Sequence, residues 1–130
     1  MTTGITIEVA PGELVDKITI LEIKAERIAD AEKLANVQRE LAVLTAARDA
    51  TVPRSPELDR MTAELRAINE VLWNIEDQIR DFERDQDFGE GFIALARSVY
   101  RTNDRRAEVK REINLHLGST LIEEKSYSAY

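Results

Sequence analysis

The chain has 130 residues, with 25 acidic and 18 basic side chains and a formal net charge of −7; this opposes general binding to nucleic acid or anionic lipid, because phosphate contacts need a surplus of Lys and Arg. With no cysteine and a single histidine, disulfides, thiolate metal sites and most zinc arrangements are excluded. Hydrophobic residues make up 43% and charged residues 33%, with only five Gly and three Pro, which favours long helices in one domain over 1–130.

No apolar run reaches the roughly 18 residues a membrane helix needs. Residues 1–8 lack the basic stretch and apolar core of a signal peptide. The expected location is therefore the cytoplasm, with no nucleic acid, no membrane and no cofactor involved.

In chain order, Ile5, Thr6, Ile7, Glu8 and Val9 alternate apolar and polar before Pro11 and Gly12, which predicts a short strand and a turn. Its expected partner is the tail from Thr120 to Tyr127, since a lone strand leaves backbone groups unpaired. From Glu13 the period becomes helical. Leu14, Ile18, Leu21, Ala25 and Ile28 lie on one side with Ile20 and Ile23 nearly opposite, so this helix is apolar on two faces and sits between neighbours. The phase slips near Asp30 and resumes through Leu34, Val37, Leu41 and Leu44, which predicts a kink, or a stop and restart with Asp30 as N-cap.

Residues 49–56 break the pattern, and Ser55, Pro56 and Glu57 mark a helix start: a hydroxyl cap, a proline at the first turn and an acid at the positive end of the dipole. Leu58, Met61, Leu65, Ile68, Leu72, Ile75, Ile79 and Phe82 then follow at alternating spacings of three and four. This four-heptad seam can leave water only by docking on another long helix. The fold expected is all-α: a long antiparallel, coiled-coil-like hairpin of 13–48 and 56–84. One or two C-terminal helices over 91–117, after the glycine-marked turn at Gly89 and Gly91, cover it. Two-sided apolarity before Asp30 implies a homodimer or another protein partner.

Between Val99 and Val109 the apolar stripe fails. Residues 97–111 hold six bases, Arg97, Arg101, Arg105, Arg106, Lys110 and Arg111, against Asp104 and Glu108, a local +4 in an acidic chain. On a continuous helix Asn103, Lys110 and Asn114 share the side of Ala96, Tyr100 and Leu117. Two explanations follow. In the structural one, Thr102 or Asn103 caps a fresh helix and the bases pair with the acidic hairpin. In the functional one, Arg97, Tyr100, Asn103, Arg106, Lys110 and Asn114 form a site for an anionic small molecule, a sugar phosphate or nucleotide-sugar, because Arg offers a bidentate fork and Lys a mobile charge.

Other residues take plainer roles. His116, four after Glu112, is a surface or capping residue rather than a metal ligand. Trp73 is a floor for the C-terminal helix or an anchor for another subunit. Glu22 and Glu26 form a solvated or ion-paired face. No nucleophile–base arrangement and no phosphate-cradling glycine loop is present, so catalysis has no candidate residues and a non-enzymatic interaction or scaffolding role leads.

Gly12-Glu13-Leu14, Asp16 to Leu21, Leu34, Asn36-Val37, Leu72-Trp73, Ile75-Glu76 and Phe88-Gly89 resemble a family of short bacterial proteins of unassigned function. Ala96-Arg97, Val99-Tyr100, Thr102 to Asp104, Arg106, Lys110 to Asn114, Gly118-Ser119, Glu123 to Lys125 and Tyr127 extend the resemblance over nearly the whole chain. Similar segments occur alone and beside glycosyltransferase-like or tetratricopeptide-repeat segments, which implies surface-polysaccharide work and carries over no catalytic residue. A weaker likeness links the opening helix, up to Glu26-Arg27, to small all-helical chorismate mutases. That family's early arginine has no counterpart here before Arg27, so an anionic substrate would lose a main clamp.

Overall fold

A computed structural model describes residues 3–130. Among them it contains four α-helices, α1 (Pro11–Arg27), α2 (Ala31–Thr51), α3 (Pro56–Arg84) and α4 (Glu90–His116). The all-α class is as expected from the composition and periodicity.

Each helix start has a local cause. Pro11 opens α1 with its φ already helical, and Glu13 sits in the first turn. The Asp30 carboxylate accepts the Lys33 N–H at 2.9 Å, so the phase slip is a stop and restart rather than a kink. Ser55 Oγ accepts the Leu58 N–H at 3.1 Å and Pro56 follows, the cap-and-proline start read from the sequence. Before α4 the chain turns through Gln86, at a φ of 54°, and the Asp87 carboxylate accepts the Gly89 N–H at 3.1 Å.

The pairing of helices differs from the expected hairpin of 13–48 against 56–84. The stop at residues 28–30 lets α2 fold back along α1, so that Ala47 and Thr51 near the end of α2 face the same groove as Pro11 and Leu14 at the start of α1. The long hairpin is instead α3 with α4, while α1 packs against all three other helices and α2 packs along α1 alone. Both apolar faces of α1 are thus covered within the chain. The sparsely covered helix is instead α2, where Val37 is the one buried residue.

The core joins α1, α3 and α4. Val15, Leu58, Met61, Leu65, Val109 and Ile113 form one buried cluster, with Val52, Ile68 and Leu117 at its edge. Full burial of each such apolar side chain contributes roughly 1.5–3 kcal/mol. The α3 seam supplies Leu58, Met61, Leu65 and Ile75 to the buried set, and its other four members are half-buried. Near the end of α1, Arg27 donates to Asn74. Beyond that point α3 continues to Arg84 with only α4 against it, a two-helix stem about 15 Å long at ~1.5 Å per residue. The stem closes tightly because Gly91 lies under the Phe82 ring, where a Cβ would stand 2.7 Å from a ring carbon.

The expected strand is absent among the described residues: 5–9 and 120–127 carry no strand and no backbone hydrogen bond joins them. Alternation is present at 5–9, but a strand exists only with a pairing partner. The tail is held elsewhere, by side chains on α4. α4 itself runs unbroken through Thr102 and Asn103, so the proposed fresh cap there does not form. It ends where Gly118 takes a φ of +67°, a left-handed conformation that glycine adopts without strain.

Candidate functional site

The polar residues of α1 that face α3 and α4 organise a large buried polar cluster. Asp16 and Thr19 are at most 1% exposed, and Asn69 of α3 and Asn114 of α4 are also buried. Groups this deep are tolerated only when hydrogen-bonded. The Asn69 amide donates to Asp16 Oδ1 and to Thr19 Oγ1, both at 2.9 Å, while the Thr19 hydroxyl donates to the Asp16 carbonyl at 2.8 Å. Arg106 reaches across from α4 and grips Asp16 with a two-pronged contact, Nε to Oδ1 at 2.9 Å and Nη2 to Oδ2 at 2.5 Å. This is the planar fork-on-carboxylate geometry that Lys cannot reproduce. The Asp16 carboxylate raises the Arg106 pKa despite burial.

One turn further along α4, Lys110 Nζ donates to Glu13 Oε2 at 2.7 Å and to Glu123 Oε1 at 3.1 Å. Burial works against the charged ammonium, but these two carboxylates outweigh it and hold the Lys110 pKa above the ordinary lysine value. A turn beyond, Asn114 Oδ1 accepts the Gly12 N–H at 2.7 Å. The helices meet so closely there that a Cβ on Gly12 would collide with the Lys110 carbonyl oxygen. Glycine is required at position 12 for that approach.

Tyr100, Asn103, Arg106 and Lys110 line one open cleft of about 450 Å³ between α4 and the C-terminal tail. Four of the six candidate residues therefore converge. The other two do not: Arg97 lies on the exposed side of α4 outside the cleft lining, and Asn114 is buried against Gly12. The tail forms the far wall. Beyond Glu123 on Lys110, Glu124 pairs with Arg111 at 2.7 Å, and Lys125 Nζ and the Tyr130 hydroxyl reach the Asp104 carboxylate at 2.9 and 2.7 Å. Lys125 and then Tyr130 lower the Asp104 pKa. The Tyr130 ring packs edge-on against Tyr100, with centroids 4.9 Å apart.

Four of the six bases in the +4 stretch, Arg105, Arg106, Lys110 and Arg111, meet carboxylates of the same chain, while Arg97 and Arg101 are exposed and form no ion pair among the described residues. Arg106 meets Asp16, Lys110 meets Glu13 and Glu123, and Arg105 meets Glu64 and Glu108. The ion-pairing half of the structural explanation describes these bases, although its helix break does not occur. Arg106 Nη1 faces only Asn103 Oδ1 at 3.5 Å, at the edge of hydrogen-bond range. Asp16, Thr19, Asn69, Glu13 and Glu123 are network members that periodicity and charge did not single out, although all but Asn69 fall in segments that carry the resemblance. Asp16 and Thr19 stood as polar gaps in an apolar helix, and an Asn one place past the seam residue Ile68 was the available signal for Asn69.

The remaining expectations resolve simply. His116 Nε2 lies 3.2 Å from Ser55 Oγ at the start of α3. Glu22 and Glu26 pair with Arg66, an ion-paired face. Trp73 is half-buried beside the end of α1, with the Arg27 guanidinium 5.9 Å from its ring centroid. Among the described residues no helix is long and apolar enough to cross a membrane.

A second surface is apolar. Ile7 and Val9 of the N-terminal segment, Val43, Leu44 and Val52 in or after α2, and Leu117 and Leu121 line a groove of about 890 Å³. Ile7 is 72% and Val43 63% exposed in it.

Fold and sites together define a four-helix protein with a buried polar network at its centre and an apolar groove at its N-terminal side. The chain belongs to the family of unknown function DUF6165, which it matches over residues 5–130. No curated protein and no solved structure matches it. Gly12, Glu13, Asp16, Asn103, Asp104, Arg106, Lys110, Asn114, Glu123 and Lys125, all among the residues that carry the sequence resemblance, belong to the network or its tail contacts.

Proposed function

We propose that this chain is a non-enzymatic interaction module that assembles as a homodimer through its apolar groove. One observation carries the reading: α2 packs along α1 alone, leaving Val43 and the neighbouring Ile7 in water beside Leu44 and Leu121. Burial of that surface against a second copy is the favourable term. The central polar network argues for rigidity rather than turnover, since its cations are already matched by internal carboxylates.

Light scattering tests this directly. The expected mass is twice that of the 14.8 kDa chain at micromolar concentration. Val43→Glu, at an exposed position, is expected to give a folded monomer with an unchanged helical circular dichroism spectrum. A wild-type monomer across the micromolar range overturns the reading.

A second reading has its own observation: Tyr100, Asn103, Arg106 and Lys110 share one open cleft. A sugar phosphate or nucleotide-sugar could seat there once Glu123 leaves Lys110. A thermal-shift panel of phosphorylated sugars and nucleotides decides, because a ligand at 100 times its dissociation constant stabilises by about 2.7 kcal/mol. Lys110→Ala abolishes that shift if the cleft is a binding site. If Lys110 only ties α1, α4 and the tail together, the variant loses stability and no ligand in the panel shifts the wild type.

A further inference from the structure

The segment Ile5, Thr6, Ile7, Glu8 and Val9 stands out from the rest of the fold. Four of its five side chains are β-branched, the class that fits a pleated sheet. Its apolar members are nonetheless in water, with Ile5 88%, Ile7 72% and Val9 39% exposed. Among the described residues none of its backbone groups hydrogen-bonds to another part of the chain. Backbone groups of an extended segment left unpaired in this way are a template for another strand.

We propose that residues 5–9 of two copies pair as antiparallel strands about a two-fold axis at Ile7, forming the centre of the dimer interface. This rests on the homodimer reading above and names the contact that makes it. The occupant follows from the segment's own pattern. Antiparallel self-pairing centred on Ile7 sets Ile7 opposite Ile7 of the second copy and Ile5 opposite Val9, so every apolar side chain falls on one face. On the other face each Glu8 stands opposite a Thr6 rather than the second Glu8, so the acidic charges are not juxtaposed. A slip of one residue would set the apolar face of one strand against the polar face of the other; a slip of two would either oppose the two Glu8 carboxylates or leave Val9 opposite Thr3, so Ile7 is the favoured centre. The groove walled by Val43, Leu44, Leu117 and Leu121 is adjacent and receives the apolar face. Such an arrangement is isologous, as a two-fold dimer requires.

Because the chain has no cysteine, introduced thiols report the geometry without background. Directly opposed residues in antiparallel strands have Cα atoms about 4.5–5.5 Å apart, within the range a disulfide spans. Under mild oxidation at micromolar concentration, Ile7→Cys is expected to form a covalent dimer at least about a hundredfold faster than Asp77→Cys on the exposed stem, because paired strands hold the thiols at millimolar effective concentration. Ile5→Cys alone is expected to cross-link no faster than Asp77→Cys, whereas mixed Ile5→Cys and Val9→Cys chains form the heterodimer. If Ile7→Cys is no faster than the stem control, or if Ile5→Cys self-links as fast as Ile7→Cys, the strand pairing is wrong. Light scattering on the wild type separates the two levels. A dimer without Ile7 cross-linking defeats the strand pairing and leaves the homodimer standing, while a monomer defeats both.

Discussion

At the scale of single residues, Asp16 is the hinge of the molecule's energetics. Its carboxylate is nearly inaccessible and carries Arg106 from α4 and Asn69 from α3 on the same oxygen. Removing one partner of a buried pair strands the other charge in a low-dielectric site, a loss of roughly 3–5 kcal/mol. Asp16→Ala is therefore expected to lower the unfolding free energy in urea by about that amount. A loss below about 1 kcal/mol would place the pair among ordinary surface bridges. Arg106, Lys110 and Asn103 stood out in the sequence because they fall where the apolar stripe of Ala96 and Tyr100 gives way to donors and cations. Asp16 did not. Its partners lie 53 and 90 positions away, and nothing in the local pattern of α1 distinguishes a buried acid from one filling a solvated gap.

At the scale of elements, the start signals carried most of the information. Asp30 and Ser55 with Pro56 each chose where a helix begins, because each satisfies or removes an N–H that the first turn leaves without a partner; α4 starts after the turn at Gly89 with no side-chain cap. Ser55 also meets His116 across the base of α3, so one hydroxyl closes one helix and touches the end of another. Ser55→Ala is expected to cost about 1 kcal/mol of stability, measured by urea unfolding, with Ser55→Asp restoring most of it. Equal loss in both variants would mean that the His116 contact, not the cap, matters. Which helix lies against which was not legible. A helix apolar on two faces announces that it needs two neighbours, but α2, α3 and α4 all present apolar stripes that could serve. The three residues 28–30 decided the matter by turning the chain back. The strand at 5–9 failed for the converse reason: its alternation is present, but among the described residues no segment of the same chain pairs with it.

At the scale of the whole molecule, the C-terminal tail is attached by charge rather than by burial. Asp104 holds Lys125 and Tyr130, and its lowered pKa means that the contact is present above the ordinary carboxylate range and lost as pH falls through that lowered value. Lys110 works in the opposite sense. Its raised pKa makes its contribution complete below the ordinary lysine range and lost as pH rises through the raised value. Backbone amide signals of residues 125–130 followed by NMR are expected to move toward random-coil values on the acid side while the α4 core signals stay in place. On the alkaline side, the thermal midpoint is expected to fall as Lys110 loses its proton and releases Glu13 and Glu123. An acid titration that leaves the tail signals unmoved would mean that the Tyr100–Tyr130 packing, not the ion pairs, anchors it.

The stem where α3 and α4 run on past Arg27 divides the protein into parts of unequal strength. Toward Gly12 three helices share a buried interior cross-braced by charged groups; toward Phe82 each turn of α3 has α4 as its neighbouring helix. That end can open and reclose as a unit, as can α2 with its one neighbouring helix, so both are expected to yield to heat before the Asp16 region does.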